Sequence, residues 1–150
     1  MYEKSKVYKI TKVMIEILFY AGILCIIGIP LIAKEIRILS GTDDSFYIPF
    51  CIILLISGVC CEYILFILKK MYKTLMSGNP FSNENTECFR QIAVLCFICA
   101  FVFFIKLFFS FTVATLVITL IFIVGTLFCL TLKDIFKQAV FYKDENDLTI

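Results

Sequence analysis

IAVLCFICAFVFFIKLFFSFTVATLVITLIFIVGTLFCLTL, running from Ile92 to Leu132, is the stretch that decides the fold. A helix needs roughly 20 apolar residues to cross the hydrocarbon of a bilayer. This run is about twice that length, so it must fold back on itself. The turn is expected around Lys106 to Thr112, where Lys106, Ser110 and Thr112 are the only polar residues. The stretch therefore reads as a helical hairpin, with spans near 90–109 and 112–132.

Two further apolar runs precede it. Val13 to Ala33 is interrupted only by Glu16, with Gly28 and Pro30 near its far end. Tyr47 to Leu68 contains Glu62. Hydrophobic residues make up 61% of the chain, and the mean hydropathy is +0.99. A soluble domain of 150 residues cannot hide so much apolar surface, whereas a lipid solvent removes the need to hide it. The expected fold is all-α, a single polytopic domain over 1–150 with four transmembrane helices in a bundle at about 13–33, 47–68, 90–109 and 112–132. A cytoplasmic helical extension and tail follow over 133–150. The first span runs past signal-peptide length with no small-residue cleavage site, so it reads as uncleaved.

Orientation follows the asymmetry of Lys and Arg between loops. Lys4, Lys6, Lys9 and Lys12 precede the first span, and Lys69, Lys70, Lys73 and Arg90 lie between the second and third. Lys133, Lys137 and Lys143 follow the fourth, so eleven of the 14 basic residues fall on one side. Both termini are expected to be cytoplasmic. The opposite side carries the polar segment 34–45, with Gly41-Thr42-Asp43-Asp44 as its turn signal.

Eight Cys raise the question of metal or redox chemistry. Seven lie inside the apolar runs and Cys88 just before one, where Cys behaves as a small buried hydrophobe. Cys96-x-x-Cys99 has redox-motif spacing, but a reactive thiolate needs an electropositive, solvated setting. With no His in the chain, a zinc set would require several thiolates in hydrocarbon. No metal and no cofactor is expected. Nor is an enzyme, since there is no nucleophile with a base and no phosphate-binding glycine loop. A net charge of +2 leaves no footprint for direct nucleic-acid binding.

Charged residues at membrane depth are functional candidates. Glu16 lies about one turn into the first helix, and Glu62 about two turns from the cytoplasmic end of the second. Arg90 stands at the mouth of the third, so Glu16, Glu62 and Arg90 form an expected intramembrane polar cluster. A structural ion pair is the simpler role for it. The fourth span offers only the hydroxyls of Thr115, Thr119 and Thr126, which can bond back to their own helix.

The cytoplasmic segments carry the sharper patterns. Lys69 to Lys73 extend the second helix, Gly78 suits its stop, and Asn79-Pro80 forces an extended step. Ser82 is a good N-cap for the third helix, with Glu84 in its first turn. Beyond the fourth span, Leu132, Ile135, Phe136, Ala139 and Val140 recur at helical spacing. The acidic end finishes in Leu148-Thr149-Ile150, which reads as strand-like and able to add to a partner.

Gly78-Asn79-Pro80-Phe81-Ser82-Asn83-Glu84-Asn85, followed by Arg90, and Asp144-Glu145-Asn146-Asp147-Leu148-Thr149-Ile150 together resemble a bacterial membrane family, domain of unknown function 2975. The likeness covers the whole chain in length and span count, with a departure at Phe89, where an aliphatic residue fits the pattern. The resemblance implies a four-helix inner-membrane protein without established chemistry. It also implies a neighbouring gene for a small Cro-type helix-turn-helix protein. On that basis the expected function is a non-enzymatic anchor or sensor in the bacterial cytoplasmic membrane. Its partner would be a small cytoplasmic DNA-binding protein, met through Gly78, Asn79, Pro80, Phe81, Ser82, Asn85, Asp144, Glu145, Asp147, Leu148 and Ile150. The alternative is a small-molecule or ion exporter, or an immunity protein against a membrane-active peptide, working through Glu16, Glu62 and Arg90. A homo-oligomer is left open.

Overall fold

The computed structural model describes residues 6–40, 47–76 and 81–148. They form four helices: α1 (Lys6–Ser40), α2 (Tyr47–Met76), α3 (Asn83–Phe109) and α4 (Val113–Leu148). Among the described residues there is no strand. All four helices are long and apolar enough to cross a membrane, so the chain is a multi-pass membrane protein. Its large apolar side chains lie exposed along every helix, Leu24, Ile27 and Leu31 on α1 among them. A helix that is apolar all round suits a lipid solvent.

All four helices outrun the spans expected for them, α1 and α4 the furthest. α1 continues as helix through Ser40, so the first part of the segment expected to be an outer loop is helical. Pro30 lies inside α1. Its ring removes one backbone donor, a loss that membrane helices accommodate. α4 is 36 residues long, or about 54 Å at 1.5 Å per residue. That is well beyond the roughly 30 Å of hydrocarbon. Leu148 is therefore helical, which corrects the strand-like reading of the C-terminal finish; Thr149 and Ile150 lie outside the described residues. Helical spacing already present in Leu132 to Val140 simply carries on through the polar end.

The chain divides into two compact units, Met1–Phe66 and Ile67–Ile150. In the first, α1 and α2 run antiparallel. The backbone of Gly58 faces Ile26, where an added Cβ would come within 3.2 Å of the Ile26 Cγ1. Four residues further along α2, Glu62 reaches Gly22, four residues back along α1. Ser57, buried beside this contact, satisfies its hydroxyl on its own helix, donating to the Ile53 carbonyl at 2.9 Å and the Leu54 carbonyl at 3.1 Å.

In the second unit α3 and α4 form the expected hairpin. The Ser110 N–H donates to the Lys106 carbonyl at 2.9 Å as α3 ends, and the Thr112 carbonyl accepts from Leu116 at 3.1 Å as α4 begins. The turn thus falls inside the predicted segment. The α3 seam is Asn85, Cys88, Ile92, Cys96, Cys99 and Phe103, with Ala93 and Ala100 beside it, all buried. The α4 seam is Thr115, Thr119, Phe122, Thr126, Cys129, Lys133, Phe136 and Val140, each buried or half-buried. Its steps alternate four and three, the period of left-handed coiled-coil packing. Small residues let the backbones close up, and a Cβ added to Gly125 would lie 3.8 Å from the Cys96 Sγ. Phe103 stacks on Phe122 with centroids 6.0 Å apart. The cysteines of α3 are packing residues, as their setting in the sequence suggested.

Two of the three hydroxyls expected to bond back to their own helix do so. Thr119 donates to the Thr115 carbonyl and Thr126 to the Phe122 carbonyl, both at 2.8 Å. Thr115 is 2% exposed, and it accepts from the Lys106 ammonium at 3.1 Å. A basic residue in the last turn of α3 also meets the negative end of that helix favourably.

Candidate functional site at the α2–α3 turn and the end of α4

The start of α3 is built by local chemistry. Ser82 adopts extended dihedrals, φ −132° and ψ 151°, and its Oγ accepts from the Asn85 backbone N–H at 3.3 Å. The Ser82 carbonyl accepts from the backbones of Asn85 at 3.1 Å and Thr86 at 3.2 Å, and from the Thr86 hydroxyl at 3.4 Å. This is the N-cap predicted for Ser82. Asn85 itself is fully buried, so it supports the turn from inside rather than presenting a surface. Glu84 pairs with Lys70 at 3.0 Å, which ties the end of α2 to the first turn of α3. Both side chains are half exposed, so the pair contributes less than about 1 kcal/mol. Ile67 and Met71 supply the buried face of this end of α2.

The turn then meets the far end of α4 through three aromatic rings. Phe136 lies 5.5 Å from Phe81 and 4.9 Å from Phe89, centroid to centroid, both in tilted geometry. The departure noted at Phe89 is thereby absorbed, since the ring packs on an aromatic partner. Phe81 keeps 44% of its surface exposed, so it bridges the packed cluster and the outer surface. Past Val140 the helix carries Phe141 and Tyr142, both exposed and in edge contact, then Asp144 and Glu145, also exposed. The end of α4 thus carries exposed aromatic and acidic residues, beyond the ring cluster that joins it to the turn.

The structure brings Phe81, Ser82 and Asn85 to one place, and Asp144 and Glu145 are exposed on the last turns of α4. Gly78, Asn79, Pro80 and Ile150 lie outside the described residues, and the side chains of Asp147 and Leu148 are likewise not described. Phe89 and Phe136 are the residues that sequence reasoning missed. Phe136 was visible as part of an amphipathic stretch, but its partner was not.

The residues of the expected intramembrane cluster fall in two units, and each is described within its own. Arg90 is exposed and pairs with Glu87, one turn before it: its Nε donates to both carboxylate oxygens, at 3.0 and 2.9 Å, and its terminal nitrogen donates to Oε1. Glu62 lies against the Gly22 backbone of α1. Glu16 is half-buried on α1, six residues before Gly22, about 9 Å along the axis. Glu16 and Glu62 therefore do not share a level in the α1–α2 pair. Among the described residues no group of three or more Cys, Asp or Glu converges as a metal site.

A family profile described as "Protein of unknown function (DUF2975)" matches residues 12–150. No curated protein matches the chain, and no solved structure does.

Proposed function

The chain belongs to the DUF2975 family, whose shared property is a sequence pattern rather than a known activity, and from its own surface we propose that it is a non-enzymatic anchor in the bacterial cytoplasmic membrane. In this reading the Phe81 turn and the end of α4 face the cytoplasm and hold a small helix-turn-helix regulator. The observation that carries the reading is the contact between Phe81 and Phe136. It fastens the turn to the end of α4 while leaving the Phe81 ring 44% exposed. A half-exposed aromatic on a rigid base is the kind of residue that anchors interfaces. Further along α4, the charges of Asp144 and Glu145 suit the basic surface of a DNA-binding protein and would steer its approach. The orientation rests on eleven of the 14 basic residues lying on that side. Ser82 and Asn85 hold the shape of the turn.

Deleting residues 144–150 tests the proposal. Transcription of the protein's own operon should change while membrane insertion stays intact, because no spanning residue is removed. Phe81→Ala should act in the same direction: loss of about 2 kcal/mol at an interface weakens binding roughly 30-fold. A helix-turn-helix protein should co-purify from mild detergent with the wild type and be lost in both variants. Unchanged regulation in both, at normal protein levels, would refute the anchor.

A further inference from the structure

The α1–α2 pair holds a carboxyl that the docking surface does not use. Glu62 is the only charged residue of α2 between Tyr47 and Lys69, and no Lys or Arg lies on α1 between Lys12 and Lys34. Its Oε1 is buried and has no hydrogen-bond partner among the described residues. Its Oε2 occupies the space in which a Cβ on residue 22 would stand, so only glycine at that position seats the side chain as it lies. Gly22 falls near the middle of the apolar run Lys9–Ile32. Glu62 likewise falls near the middle of the α2 run Ile48–Thr74, so both helices put its carboxyl at mid-span.

Chemistry narrows the ligand. A dry, unpaired carboxylate at this depth is costly, while the neutral acid loses only hydrogen bonds. A hard metal cation takes six to eight oxygen ligands, and this pocket supplies one carboxyl. The titratable groups nearest to it along the two helices are Glu16, Tyr20, Cys25, Cys60, Cys61 and Tyr63. Glu16 is about 9 Å away along the axis, Tyr20, Cys25, Cys61 and Tyr63 are exposed, and Cys60 is half-buried. We propose that Glu62 is an intramembrane proton-binding site, holding its proton while seated against Gly22 and releasing it when the α1–α2 pair opens to water. Proton occupancy and the closeness of the two helices are then linked, since the ionised form needs water that the closed pair excludes. The inference is independent of the docking surface.

A hydrophobic carbodiimide is the probe. The neutral acid adds its O–H across one N=C bond to give an O-acylisourea, which rearranges to a stable N-acylurea without any further reagent. In membranes holding the full chain, peptide mass spectrometry should place the adduct on Glu62. Its yield should fall when both faces are made alkaline and recover on re-acidification. Glu62→Gln, a close match for the neutral acid in shape, should lose the adduct, and Glu16→Gln should keep it. Gly22→Ala should change the yield several-fold, because a methyl displaces the carboxyl from its seat. No adduct on Glu62 in the wild type, a measurement that needs no variant to fold, would overturn the proposal. So would labelling indifferent to acidity, or protection by Na⁺ or Li⁺ at fixed acidity, which would mark a metal-cation site instead.

Discussion

Three glycines show how far a single hydrogen or methyl matters in this molecule. At Gly125 an added Cβ would make an ordinary contact with Cys96, 3.8 Å away. Alanine is also preferred over glycine within a helix by up to about 1 kcal/mol. Gly125→Ala should therefore raise the denaturation midpoint of the purified protein in mild detergent, and a lowered midpoint would show the α3–α4 seam to be tighter than described. At Gly58 the same methyl would press within 3.2 Å of Ile26, so the change gains nothing unless that side chain shifts. At Gly22 it would displace a flexible carboxyl side chain rather than a backbone, so the helices survive and the Glu62 seat is what changes. Ser82 is a different kind of residue, with its energy in two hydrogen-bonding roles at one cap. Ser82→Ala should cost about 1 kcal/mol, and Ser82→Asp should restore most of it. Amide exchange at Asn85 is the direct readout, faster in the alanine variant and near normal in the aspartate one.

At the scale of elements, α4 is the organising helix of the second unit. Its seam begins with Thr115 beside Lys106 and ends with Phe136 and Val140, so one heptad stripe serves both the span and the extension beyond it. Removing the aromatic at the far end should loosen the turn without unseating the span. Phe136→Ala is expected to cost about 2 kcal/mol, less than the 3–5 typical of a fully buried ring, because Phe136 is only half-buried. Faster thiol labelling of Cys88, which is buried one turn into α3, would register the loosening. Equal labelling in both proteins would show that the three rings merely touch. By contrast, Lys70→Ala should move stability by less than about 1 kcal/mol, and the difference should shrink as salt is added, since its ion pair with Glu84 is exposed.

For the whole molecule the testable quantity is topology. With native cysteines replaced, a thiol at position 43 should react with an impermeant reagent added outside intact cells, and one at position 145 should react only after lysis. The reverse pattern would invert the docking surface. Much of the architecture was legible beforehand because a bilayer imposes a length and a composition on each crossing. The fold-back near Ser110, the Ser82 cap and the self-bonded threonines are local consequences of neighbouring residues, and they stand where the pattern put them. The Arg90–Glu87 pair is another local consequence, joining neighbours one helical turn apart. The helical extension past Leu132 follows from its spacing, whereas the helical state of Leu148 does not, because a polar end without a buried face leaves little periodic signal. The sequence by itself determined the number of spans, the fold-back, the caps and the charge asymmetry, since each depends on residues within a turn or two or on the solvent. Only the tertiary structure decided that Phe136 meets Phe81 and Phe89, that Lys106 reaches Thr115 and that Glu62 is seated on Gly22. Those pairings depend on how two helices rotate and slide against each other, and that register is set by packing small residues along a shared seam.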